Sequence, residues 1–152
     1  MTCVNVVSNR YRPRLIDPVL DDAIDAFAAV MLVGPRAVGK TTTAARRAAQ
    51  VDRLDVPDVA SLYRADPDAA LRRASRPLLI DEWQEVPEVL GAVKRAVDAD
   101  RTPGQFILTG SVRVDTDLST WAGTGRVVRA AMHPLTEAEV ELAGEATMDA
   151  ID

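Results

Sequence analysis

Residues Gly34 to Thr41 read G-P-R-A-V-G-K-T, with two glycines, a lysine and a hydroxyl at fixed spacing between an apolar run and an alanine-rich helical pattern. A loop of this kind points successive backbone N–H groups inward around an anion, and the following helix adds the positive end of its dipole. The expected phosphate contacts are therefore Gly34, Pro35, Arg36, Ala37, Val38, Gly39, Lys40, Thr41 and Thr42. Lys40 would reach the β- and γ-phosphates of a nucleoside triphosphate as a compact point charge, and the Thr41 hydroxyl would ligate magnesium. Lysine is unusual here, because the chain has only two, Lys40 and Lys94, beside sixteen arginines. The planar arginine fork would fit the cradle poorly.

A second chemical signal lies in "LLIDEWQ", where an apolar strand runs into two adjacent carboxylates, Asp81 and Glu82. Successive strand residues point to opposite sides, and a buried carboxylate without partners is costly. Beside a phosphate loop, Asp81 can hold the water shell of magnesium, which makes Thr41 and Asp81 the expected metal pair. Glu82 can accept a proton from a water that attacks the γ-phosphate. A guanine-nucleotide switch would want D-x-x-G and N-K-x-D sequences, and neither occurs, so ATP is the expected nucleotide. Two other activities share the loop: a nucleotide-binding switch without catalysis, and a small-molecule phosphotransferase, for which no acceptor site is visible.

These residues need a scaffold of strands and helices. "AVMLV", "VDRLDV", "PLLIDEW", "GQFILTGS" and "GRVVRAAMHPL" read as five strands, most of them continuous apolar runs of the sort covered on both faces. Helices are expected between them: one opened by Asp17 as cap with Pro18 next, one from about Gly39 to Ala49, one or two broken near Pro67, and one with Val86, Val89, Leu90, Val93, Ala96 and Val97 on a single face. Thr136 and Glu139 form a capping-box pattern before a last helix. The alternation predicts a three-layer α/β fold with a mostly parallel five-stranded sheet, and ligands bound beyond the strand carboxyl ends.

The 152 residues suit a single domain, residues 1–152. A net charge of −5 argues against nucleic acid as the main ligand. The single cysteine, Cys3, forms no internal disulfide, and "AFAAVMLVG", the longest apolar run, is too short to span a bilayer. The expected location is cytoplasmic.

Together, "GPRAVGKTT", "LLIDEWQEVPE" and "FILTGS", with "YRPRLID" and "GRVVRAAMHPLTEAEV" at the two ends, make the chain resemble the P-loop ATPase domain of AAA-type bacterial and archaeal proteins. In that family an additional C-terminal domain of unknown function usually follows. The resemblance spans residues from about 11 to 142 and implies that the "FILTGS" strand lies between the loop strand and the Asp-Glu strand. It implies Ser111, or else Thr109, as a polar sensor of the γ-phosphate, and Arg126 or Arg113 as an arginine finger toward a neighbouring subunit. ATP and Mg2+ are the implied cofactors, with an unidentified protein partner and a homo-oligomer as implied associations. His133, Trp83 and Trp121 are expected to be structural. The chain ends soon after its last expected helix, so lid and appended domain are expected to be absent, as in a truncated or minimal version whose hydrolysis is slow and partner-dependent.

Overall fold

The computed structural model describes residues 11–111 and 125–141. Its elements in chain order are α1 (Ile16–Ala26), β1 (Ala29–Val33), α2 (Lys40–Ala45), β2 (Gln50–Arg53), α3 (Pro57–Ala65), α4 (Pro67–Arg73), β3 (Leu78–Asp81), α5 (Val89–Ala99), β4 (Phe106–Thr109) and β5 (Val127–Ala131). A short 3-10 turn, Trp83–Glu85, follows β3, and residues 137–141 are helical.

The five strands form one sheet in the order β2-β3-β4-β1-β5, and every neighbouring pair is parallel. β4 therefore lies between β1 and β3, as expected. Four residues each of β1, β3 and β4 are fully buried, which is why those strands read as unbroken apolar runs. Their side chains alternate between two cores. Met31, Leu78, Ile80, Phe106 and Leu108 pack with Tyr63, Leu71, Val89 and Val93 from α3, α4 and α5. Val30, Leu32, Leu79 and Ile107 pack on the other side with Leu20 of α1, Ala44 of α2 and Ala130 of β5. Helices thus cover both faces.

The expected break near Pro67 is real. The α3 helix ends at Ala65, and α4 starts at Pro67 with Asp66 as N-cap, its side chain accepting from the Ala69 N–H at 2.8 Å. On α5 the apolar stripe is buried at Val89, Leu90, Ala92, Val93 and Val97, with Val86 buried just before the helix.

Two local expectations are corrected. Asp17 does not cap α1: the helix starts at Ile16 with Leu15 at the N-cap, and the Asp17 carboxylate inside the first turn accepts from the Arg14 N–H at 2.7 Å. The helix after the glycine loop stops at Ala45 rather than Ala49, because the chain must turn back to begin β2 at Gln50.

Candidate phosphate-binding site

The carboxyl ends of β1, β3 and β4 converge on one place. β1 delivers the loop 34–39, β3 delivers Asp81 and Glu82, and β4 delivers Thr109, Gly110 and Ser111.

The loop has little freedom to be anything else. Gly34 passes so close to the chain after β5 that a Cβ would lie 2.3 Å from the Met132 carbonyl oxygen. Gly39 turns the chain at φ 99, ψ 18, a left-handed conformation that glycine adopts without steric cost, and Ala37 joins it at φ 59. The N–H groups of Arg36, Ala37 and Gly39 donate to no protein acceptor among the described residues. Because α2 has only six residues, an anion held here would depend on these loop donors and on Lys40 more than on a helix dipole.

Lys40 is buried and folds back on its own loop, Nζ donating to the Gly34 carbonyl at 2.9 Å and the Pro35 carbonyl at 2.6 Å. Burial pushes the ammonium below the usual lysine range, and the nearby Glu82 and Asp81 carboxylates oppose that shift. A phosphate would exchange those two carbonyls for a charged acceptor, a stronger partner for the same donor.

Asp81 is buried, and its Oδ1 accepts from two hydroxyls: Thr41 at 2.8 Å and Thr109 at 2.6 Å. Its Oδ2 stands 3.9 Å from Arg53 Nε. The expected Thr41–Asp81 pair is thus joined across forty residues of sequence. Thr109, the alternative sensor to Ser111, holds Asp81 in place through this bond. Among the described residues no cluster of three or more His, Cys, Asp or Glu could hold a metal. A hydroxyl and one carboxylate nevertheless fit magnesium, which binds proteins through one or two such groups and takes its remaining oxygens from water and phosphates.

Glu82 follows at φ 55, ψ 47, left-handed, and Gln84 Nε2 donates to its Oε2. Ser111 is half-buried just beyond β4. Arg126 sits at the opposite, amino end of the sheet, bound to Asp98 at 2.7 Å. Arg113, Trp121 and Cys3 lie outside the described residues.

Several participants were not foreseen. Arg14 is buried and ties three segments together, donating to Val38 O in the loop (2.8 Å), His133 O (2.7 Å) and Glu139 Oε1 (3.0 Å). Glu139 also accepts from the Leu15 N–H at 2.8 Å and the Thr136 N–H at 2.8 Å, which completes the capping box. Burial alone would raise the Glu139 carboxyl, yet these N–H donors and the Arg14 guanidinium pull it down to about 2. Beside the loop, Tyr11, Arg12, Gly39, Thr42, Thr43 and Leu135 border a cleft of about 220 Å³. Arg46 stacks 4.1 Å from the Tyr11 ring centroid. Spacing signals for Arg14 and Tyr11 do not exist, although "YRPRLID" had pointed to their region.

An α/β sheet with five parallel strands and a glycine-lysine-threonine loop at the carboxyl end of β1 defines a P-loop nucleotide-binding domain. A family profile described as an AAA domain matches residues 26–141, and the chain belongs to that family. It is also similar to an uncharacterized protein of Mycobacterium bovis and one of Mycobacterium tuberculosis, each 31% identical over 122 residues, covering 78% of this chain. The matched stretch is 28% of the length of either relative. Among the described residues no helix is long and apolar enough to cross a membrane.

Proposed function

We propose that this domain binds Mg-ATP at the loop 34–41 and hydrolyses it to ADP and phosphate, slowly and under control of a protein partner. The observation that supports the reading best is the bond from Thr41 Oγ1 to Asp81 Oδ1, with Lys40 and Glu82 beside them. Lys40 and the loop N–H groups bind the terminal phosphates, and Thr41 and Asp81 would hold magnesium. Bound there, the ion would neutralise charge developing on the phosphate oxygens. Glu82 orients a water and takes its proton as the water oxygen bonds to the γ-phosphorus. The bond from that phosphorus to its bridging oxygen breaks, and the electron pair leaves on ADP. Ser111, just beyond the carboxyl end of β4, would contact the transferred group. The cleft bordered by Tyr11 and Thr43 suits the base and ribose.

Phosphate release by wild type, Lys40→Ala and Glu82→Gln tests this reading. Wild type is expected to turn over ATP, Lys40→Ala to bind ATP more weakly, and Glu82→Gln to bind without turnover. Full turnover by Glu82→Gln removes its role, and undiminished ATP affinity in Lys40→Ala removes the site.

A nucleotide-gated switch without catalysis is the second reading, favoured by the way Lys40 closes the loop on its own carbonyls. Saturation at a hundredfold over the dissociation constant would add about 2.7 kcal/mol of stability under either reading. Only phosphate release divides them. The single domain of residues 1–152, a homo-oligomer, a finger role for Arg126 or Arg113 and a cytoplasmic setting belong to the same proposal.

A further inference from the structure

We infer that Gln84 is a positioning residue for Glu82: its carboxamide holds one carboxylate oxygen, so that the other is presented to the attacking water. This rests on the reading of Glu82 as the water's base.

The contact begins with Gln84 Nε2, which donates to Glu82 Oε2 two residues away. Such a short link forms because Glu82 occupies the left-handed region and leads directly into the Trp83–Glu85 turn. Non-glycine residues seldom adopt that conformation, and it persists where the surroundings over-determine it.

Those surroundings are visible on the other side of the carboxamide. Among the described residues Gln84 Oε1 is buried with no hydrogen-bond partner, and so is Trp83 Nε1. Both press on Gly110 at the end of β4: a Cβ there would lie 2.5 Å from Gln84 Oε1 and 2.9 Å from Trp83 Nε1. Buried polar atoms without partners are uncommon, and two on one three-residue turn mark a geometry kept for something other than its own hydrogen bonding. Which way the amide faces is settled by chemistry, since reversing it would set its oxygen against the Glu82 carboxylate. Gln84 is therefore wedged at its oxygen and bonded at its nitrogen. That arrangement removes rotational freedom from Glu82, and the rate of an in-line attack is steeply sensitive to where the base stands.

The test measures ATP turnover and ATP affinity of the full chain carrying Gln84→Ala or Gln84→Met, each with Glu82 intact and with Glu82→Gln. Methionine keeps the length and packing of the side chain but cannot donate. Both Gln84 variants are expected to lower kcat about tenfold with ATP affinity unchanged, and neither should lower the residual rate of Glu82→Gln any further. Retained kcat in Gln84→Met with loss in Gln84→Ala overturns the inference in favour of packing. So do equal losses with and without the Glu82 carboxylate. Glu82-dependent turnover that ignores both substitutions overturns the positioning role alone, whereas turnover independent of Glu82 overturns the base assignment and this role with it.

Discussion

At the corner after β1 the chain turns through glycines and closes on its own main chain, with Lys40 bonded to the Gly34 and Pro35 carbonyls. At the corner after β3 it turns through a glutamate and is wedged by side chains, with Trp83 and Gln84 pressed on Gly110. Among the described residues the first corner leaves backbone donors free for a ligand, and the second leaves two buried polar atoms unpaired. Binding needs the first kind of surface. Aiming a single group needs the second.

The two corners can be pulled apart experimentally. The largest effect is expected at the brace of the first corner, where Glu139→Gln would leave the buried Arg14 guanidinium without its charge partner, costing about 3 kcal/mol. The pH dependence has a definite sign. With its folded value depressed to about 2 from an ordinary 4.5, the Glu139 carboxylate stabilises the fold fully above pH 4.5. That stabilisation is lost as pH falls from 4.5 toward 2, so urea unfolding across this range should show a steeper slope in wild type than in Glu139→Gln, where Asp68, Asp98 and Asp100 with their own lowered values still contribute.

Next, Gly34→Ala drives a methyl into a backbone carbonyl that cannot yield, and should cost about 2 kcal/mol by urea unfolding together with loss of nucleotide binding. Lys40→Ala is expected to weaken ATP by about thirtyfold in calorimetry, the share of a charge-assisted pair. Gly110→Ala is the smallest, about 1 kcal/mol, because the atoms it meets belong to side chains, the Gln84 carboxamide and the edge of the Trp83 ring, and not to backbone. It should lower turnover as Gln84→Ala does, and adding it to Gln84→Ala should lower turnover no further. Equal destabilisation by the two glycine substitutions would erase the distinction between the corners.

The first corner was legible in the sequence because its work is done by main chain, and main-chain geometry constrains residue type at fixed spacing: glycines at 34 and 39, lysine at 40, a hydroxyl at 41. The five strands were legible because burial on both faces leaves no polar alternation, and β4 falls between β1 and β3 as the family resemblance implied. Asp81 and Glu82 could be read as a pair, but not the left-handed turn at Glu82, since glutamate carries no signal for it. Ser111 and Thr109 are alternative sensors in the sequence because hydroxyls at strand ends look alike; the bond of Thr109 to Asp81 depends on the register of β3 against β4. Arg14 escaped notice for a similar reason. Sixteen arginines hide the one whose three partners lie as far as 125 residues along the chain.

That arginine has a mechanical consequence. Its guanidinium is a flat, rigid plate, and here it is fastened simultaneously to the nucleotide loop, to the strand's exit path and to the helical segment at 137–141. A plate held at three points transmits torque instead of absorbing it. Displacing the segment at 137–141 would therefore pull on the contact between Arg14 and the Val38 carbonyl, one residue before the left-handed turn at Gly39.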